Sequence, residues 1–236
     1  MSIKQKVFSI LALLLMTAVG ATAQTTYTVT VKDGTEDAAK WSADPNPAGE
    51  GQSVTIKYDG KKKVKRVTAV KKEKAAAAAT AEDQGKLIAA NGNIYDTQAA
   101  ATTAGTTAVA KIIYVGSSTD NSTYTHGLAL ALTDESGTMN WSTAQTTAAA
   151  HTPTVTDASW MLPSKDQWET MISAADGYTA LRDGFSSVGG TNMQADHYWS
   201  STEFGTYSAW YYDFGKGDWD YGSKDYGRYV RACLAF

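Results

Sequence analysis

Residues 198–236 read YWSSTEFGTYSAWYYDFGKGDWDYGSKDYGRYVRACLAF, and the 25 from Phe204 to Arg228 use only ten residue types. Five are Tyr, five Gly and four Asp. Phe, Ser, Trp and Lys occur twice each and Thr, Ala and Arg once, with no Leu, Ile, Val, Met, Glu, Gln, Asn or Pro. Tyr supplies large, stiff, amphipathic contact area at low entropic cost, and small polar residues adapt around it. The stretch therefore predicts a binding surface and not an active site. An ordinary core rich in Tyr and Trp is the competing reading. It accounts for the tryptophans but not for the missing aliphatic residues.

Working outward, the tail reads as hairpin-like strands at 198–202, 209–214, 219–221 and 229–234, joined by Gly-rich polar turns. Before it, Ser164 caps a helix with Gln167 completing a capping box, and Trp168, Met171 and Ile172 form its apolar face. Tyr178 to Phe185 reads as a second short helix stopped by Gly189-Gly190, and Trp141 to Ala150 as a further helical stretch. Segments 108–115 (AVAKIIYV) and 126–133 (HGLALALT) read as buried strands, and Asn91-Gly92 as the turn of a hairpin between Leu87-Ile88 and Ile94-Tyr95. Residues 97–107 are Ala/Thr-rich and favour neither state. Helices embedded among irregular strands give an α+β domain over 86–236.

The N-terminal part differs. Lys4 and Lys6 precede an apolar run from Val7 to Val19, and Ala21-Thr22-Ala23 fits a cleavage site, so 1–23 reads as an export leader, with an uncleaved anchor as the alternative. Alternating segments at 26–32, 53–58 and 63–70, with turn signals at Asp33-Gly34 and Asp59-Gly60, make 24–74 a small all-β, Ig-like module with Trp41 as its core anchor. The second turn suits a hairpin. The alanine run from Ala75 to Ala81 makes 75–85 a linker. Charge divides at the same place. Residues 24–74 hold 11 Lys and Arg against 7 Asp and Glu, and residues 75–236 hold 8 against 17. The basic run around Lys61-Lys62-Lys63 is either a solvated edge that blocks aggregation or an attachment to an anionic surface. An acidic C-terminal region argues against a nucleic-acid partner.

Three segments carry a family resemblance: Trp160-Met161-Leu162-Pro163-Ser164 with Trp168; Tyr198-Trp199-Ser200-Ser201-Thr202-Glu203; and Val230-Arg231-Ala232-Cys233-Leu234-Ala235-Phe236. Together they resemble the C-type-lectin-like domain of the formylglycine-generating-enzyme type. More narrowly, the tail resembles the variable proteins of diversity-generating retroelements in gut bacteria and their phages. That resemblance covers 86–236. It implies that an error-prone reverse transcriptase randomises template adenines, with AAC and AAT codons as the usual targets. Changing their first two bases reaches Tyr, Ser, Gly, Asp, His, Phe, Arg and Thr, and never Trp, Met, Glu, Gln or Lys. The positions reachable in this way are Phe204, Gly205, Thr206, Tyr207, Ser208, Tyr211, Asp213, Gly215, Asp218, Asp220, Tyr221, Gly222, Ser223, Asp225, Tyr226, Gly227 and Arg228, extended by Asp196 and His197. These are the implied ligand-binding residues. Glu203, Ala209, Trp210, Tyr212, Phe214, Trp219, Lys224 and Tyr229 are the implied framework, with Trp199, Trp210 and Trp219 as protected core. Lys216 departs from the rule, being either framework or derived from an AAA-like codon. Strand alternation over 209–214 puts Trp210, Tyr212 and Phe214 on one face, to pack, and Tyr211 and Asp213 on the other, to be displayed.

Other chemistries lack their residues. Formylglycine-generating catalysis uses paired thiols, and this chain has one Cys, Cys233, read as a buried apolar residue with a reactive thiol as the alternative. Asp218, Asp220 and Asp225 read as solvated turn aspartates, with a Ca²⁺ site as the alternative, although the Glu-Pro-Asn and Trp-Asn-Asp lectin motifs are missing. His126, His151 and His197 show no zinc spacing, no phosphate loop or nucleophile elbow is present, and Ser200-Ser201 beside Glu203 read as structural. The expectation is an exported, non-enzymatic recognition or adhesion protein without cofactor or metal, secreted or at the cell surface. Its ligand would be a protein or glycan on another cell, a phage or a host surface, and any membrane association would be indirect. The alternative is a structural or fimbrial-type adhesin subunit with a fixed aromatic tip. The ligand's identity and the oligomeric state are not encoded in such a pattern.

Overall fold

The computed structural model describes residues 74–236 in full and, within 1–73, the backbone of six strands. These are β1 (Phe8–Ile10), β2 (Thr26–Lys32), β3 (Trp41–Asp44), β4 (Ala48–Gly49), β5 (Val54–Tyr58) and β6 (Arg66–Lys72). They form two antiparallel three-stranded sheets, ordered β1-β5-β3 and β4-β2-β6. β5 and β6 lie in different sheets, so they do not pair as the hairpin expected around Asp59-Gly60, a dipeptide that itself lies outside the described residues. The rest of the expected leader, the Trp41 side chain and the lysine run at 61–63 lie outside the described residues.

The chain divides into two compact units, Met1–Glu73 and Lys74–Phe236. The second is built on a seven-stranded antiparallel sheet. Its strands are β7 (Lys74–Ala75), β8 (Leu87–Ala89), β9 (Asn93–Tyr95), β10 (Ala108–Val115), β11 (Gly127–Ala131), β12 (Ser159–Met161) and the C-terminal β16 (Cys233–Ala235), in the order β12-β16-β11-β10-β8-β9-β7. A second sheet, β13 (His197–Gly205), β14 (Ser208–Asp213) and β15 (Asp218–Ser223), is ordered as it runs in sequence. Four helices complete the unit: α1 (Gln98–Thr103), α2 (Trp141–Ala149), α3 (Lys165–Ala174) and α4 (Tyr178–Asp183).

The main sheet is buried on both faces, which is why β11 is apolar throughout instead of alternating. Leu128 and Leu130 pack with Trp168, Tyr198 and Phe214 on one side. Ala129 and Ala131 pack with Trp141, Trp160 and Trp199 on the other. Four buried indoles each find a carbonyl: Trp141 donates to Ser200 (2.8 Å), Trp160 to Pro153 (2.9 Å), Trp168 to Trp199 (3.2 Å) and Trp199 to Met139 (2.9 Å). The Ser164 capping box forms as its spacing predicts, with Gln167 answering the cap.

Residues 75–85, expected as a linker, are folded onto this unit together with Lys74. β7 pairs with β9, and Thr80 opens a 3₁₀ turn that ends at Asp83. The buried Asp83 carboxylate accepts from Lys74 Nζ (2.6 Å), Lys86 Nζ (3.0 Å) and the Thr80 N–H (2.8 Å). Burial alone would raise its pKa, but these donors outweigh it and hold the carboxyl well below the ordinary range. Alanine carries no periodic signal, so sequence composition does not reveal the anchor.

Candidate ligand-binding surface

The second sheet emerges from the core on a buried polar root. Arg231, wholly buried, donates to Asp134 (2.7 Å), to the Ala131 carbonyl (3.0 Å) and to the Thr191 carbonyl (2.9 Å). Tyr198 OH donates to the other Asp134 oxygen (2.7 Å). Burial raises the Asp134 pKa, against the pull of Arg231, and burial also pushes the Tyr198 phenol far above its usual range. Each guanidinium nitrogen of Arg231 and the Tyr198 hydroxyl has a partner, so the root fixes where β13 leaves the core.

From there β13 and β14 pair through His197↔Asp213, Tyr198↔Tyr212 and Trp199↔Tyr211. β14 and β15 pair in register from Ser208↔Ser223 to Asp213↔Asp218. One face of this sheet carries Tyr212 and Phe214 into the core beside Trp168. Further along the same face, outside the core, Phe204 stacks on Tyr221 (centroids 3.7 Å apart, planes at 12°) with Trp210 edge-on to both. Trp219 stands beside Trp210, and Lys165 Nζ lies 4.2 Å from the Trp210 ring centre.

The other face is a linked polar cluster. Arg228 lies 3.4 Å from the Tyr211 ring centre and 4.8 Å from that of Trp199, with its Nε buried and without a hydrogen-bond partner. Burial lowers its pKa, and Tyr211 and Asp220 oppose that shift. Tyr211 OH donates to Asp220 (2.9 Å), and burial with this bond raises the phenol pKa. His197 sits between Asp196 (3.1 Å) and Asp213 (3.4 Å). Asp213 also accepts from the Gly215 N–H (2.8 Å) and pairs with Lys216 (3.2 Å). Burial would raise the Asp213 pKa, but these partners bring it below the usual carboxylate value.

The expected ligand-binding residues divide accordingly. Asp196, Phe204, Gly205, Thr206, Tyr207, Gly215, Asp218, Asp220, Tyr221, Asp225, Tyr226 and Gly227 are exposed, and His197, Ser208, Gly222, Ser223 and Arg228 are half-buried. Tyr211 and Asp213 are buried, at 7% and 6% exposure, and are not displayed. Alternation does place them opposite Tyr212 and Phe214. Both faces of β14 are covered, however, because Arg228 and Trp199 close over the second one. Trp210 and Trp219 are half-buried and share the aromatic patch, in contrast to Trp199, which is fully buried as expected. Lys165, which the tail pattern does not single out, reaches the patch from the first residue of α3. Among the described residues, no three His, Cys, Asp or Glu side chains converge as a metal ion requires. Nor is any helix among them long and apolar enough to cross a membrane.

Comparison with known proteins adds a family. Among curated proteins, none matches the chain. The solved structure of a fimbrial protein from Bacteroides ovatus ATCC 8483 is similar at 14% identity and a TM-score of 0.46, over 64% of this chain and 48% of that one. This chain thus spans about half the length of that protein. The family model of the Lcl C-terminal domain matches residues 118–233, which take in α2, α3, α4 and the whole second sheet. Over those residues the chain is similar to the Lcl C-terminal domain, the variable C-terminal domain of target proteins of diversity-generating retroelements.

Proposed function

We propose that this protein is an exported, non-enzymatic recognition protein whose C-terminal unit, a C-type-lectin-like domain, displays a retroelement-diversified surface to a protein or glycan ligand outside the cell. One observation carries the reading. The large hydrophobic side chains exposed among the described residues are Phe204 (49%), Tyr207 (83%), Tyr221 (48%) and Tyr226 (64%), and all four fall within the adenine-reachable stretch. The unit's other Phe, Tyr and Trp rings are buried or half-buried. Exposing four such rings together is costly unless they meet a partner. The leader at the N-terminus and the family's variable character support export and diversification.

The test joins locus and protein. The 3′ end of the encoding gene, amplified from a population, should vary at the codons of Phe204, Tyr207, Tyr221 and Tyr226, and stay constant at Trp199, Trp210 and Trp219. A near-copy differing chiefly at adenines should lie beside a reverse transcriptase gene. Tyr207→Ala with Tyr226→Ala should abolish binding to a ligand selected on the wild-type chain and leave the unfolding midpoint unchanged. A constant tail without a template copy, or unfolding of the double variant, would remove the reading.

A further inference from the structure

Resting on the recognition reading above, we infer that the surface takes its ligand as an extended protein segment, paired main chain to main chain along the outer edge of β15. The two edges of the second sheet differ. β13 is closed on its outer side: Trp199 N–H donates to the Tyr229 carbonyl (3.1 Å), Tyr229 N–H to that of His197 (3.0 Å) and Ser201 N–H to that of Pro163 (2.8 Å). β15 ends the sheet, and no strand among the described residues pairs with its other side.

The register shows what that edge presents. β14 and β15 pair without a break from Ser208↔Ser223 to Asp213↔Asp218, whereas β13 and β14 shift register twice. Lys224 N–H donates to the Tyr207 carbonyl (3.0 Å), so by alternation the main-chain groups of Gly222, Asp220 and Asp218 also face β14. Those of Trp219, Tyr221 and Ser223 face outward. Tyr221 N–H accordingly meets no strand and donates to the neighbouring Asp220 carboxylate (2.8 Å), and the Ser223 carbonyl accepts from Tyr226 N–H (3.1 Å). The Trp219 N–H and carbonyl, the Tyr221 carbonyl and the Ser223 N–H have no partner among the described residues.

Donors and acceptors recurring at every second residue, about 7 Å apart, match the ladder of an added strand. A sugar hydroxyl, which rotates between donating and accepting, has no need of such an order. A second copy of this chain fits less well. Pairing β15 with itself about Tyr221 would set Trp219 N–H of one copy against the Ser223 carbonyl of the other, which Tyr226 already holds. Trp219 and Tyr221 stand opposite Tyr212 and Trp210 on the aromatic face, so the incoming residues that pair with them are aromatic or β-branched. Most side chains of β15 are expected to vary, but the main-chain ladder persists with any residue other than Pro.

The probe is a linear peptide selected from a random displayed library on the full chain, with binding read by fluorescence anisotropy. Its residues are N-methylated one at a time. Affinity should fall at least about tenfold at every second residue of the bound segment, because only alternate N–H groups meet the edge. Tyr221→Pro should bind at least about fivefold more weakly than Tyr221→Ala at equal unfolding midpoints, since both lose the ring and only Pro loses the edge donor. Hydrogen exchange of the Trp219 and Ser223 amides should slow on binding. A methylation scan without a period of two, with no such slowing, overturns the edge pairing; if Tyr207→Ala with Tyr226→Ala still abolishes that binding, the recognition surface stands. Enrichment of no linear peptide, with a glycan bound through the same tyrosines, has the same meaning. Slowing of these amides on concentrating the chain alone, with a dimer in sedimentation, assigns the edge to a second copy and overturns the protein segment. No ligand of either kind overturns both.

Discussion

Replacing Tyr211 by Ser is a single step in the diversification the family implies, yet Tyr211 is 7% exposed, so it should act as a core mutation. The phenol ring lies against Trp199 (centroids 6.2 Å), His197 (4.8 Å) and the Arg228 guanidinium (3.4 Å), and its hydroxyl donates to Asp220 (2.9 Å). Removing a buried aromatic ring costs about 3–5 kcal/mol when the site cannot collapse. Partial exposure of the neighbouring Arg228 lets water enter, which places the expectation near 3 kcal/mol. For a unit of this size that lowers the unfolding midpoint by roughly 6–12 °C. Tryptophan fluorescence is the assay, because six of the seven tryptophans lie in 74–236 and report that unit apart from the N-terminal one. Tyr211→Phe isolates the bond to Asp220 and should cost about 0.5–1.5 kcal/mol. Tyr207→Ser, at 83% exposure, should stay within about 0.5 kcal/mol. A Tyr211→Ser chain as stable as the Tyr207→Ser chain would refute the placement of this ring in the core.

The Asp83 anchor predicts a pH signature. Its folded pKa is depressed, so its contribution is present above the unfolded carboxylate value near 4 and is lost as pH falls below it. Asp83→Asn should cost about 2–3 kcal/mol in urea titrations at pH 7, moderated because Lys74 and Lys86 are each about one-third exposed, and the difference from wild type should shrink below about pH 4. A difference constant with pH would show that the carboxylate's charge is immaterial. Glycines in the stretch expected to vary should differ in tolerance. A Cβ at Gly205 meets nothing within 4 Å, whereas one at Gly215 comes 2.9 Å from the Ala195 carbonyl. Gly205→Tyr should therefore leave the midpoint in place, and Gly215→Tyr should cost about 1–3 kcal/mol by differential scanning fluorimetry. Equal tolerance would count against this backbone path.

What the sequence disclosed depended on whether the signal was local. The Ser164–Gln167 capping box, the Asn91-Gly92 turn and the strand at 108–115 are specified within a few residues, and the structure has all three. The α+β class followed from them. Two features rest on long-range partners and were not legible. Asp83 is understood only with Lys74 and Lys86 around it, so residues 75–85 read as a linker in the sequence. Period-two alternation on β14 separates its two faces correctly but does not say what covers each. Tyr211 is buried because Arg228, 17 positions later, returns to stack on it. Lys165 was missed for the same reason. Nothing near Ser164 in sequence indicates that the first residue of α3 meets Trp210.

The burial of Tyr211, Asp213 and part of Arg228 alters what a diversified tail can mean for this domain. If every reachable position were equally exposed, variation would change binding alone and leave folding untouched. Here the reachable positions fall into two mechanical classes. Phe204, Tyr207, Tyr221 and Tyr226 stand outside the core, and their replacement removes contact area without opening a cavity. Tyr211 and Arg228 form one stacked unit, so replacing either strips the other of its partner, and their costs should be coupled rather than additive. Asp213 similarly ties Gly215, Lys216 and His197 together at the turn after β14. The buried Arg231–Asp134–Tyr198 root lies outside the positions expected to vary. It holds β13 in place whichever side chains occupy the tips, and so confines the stability cost of variation to the 211–228 pair and the 213 turn.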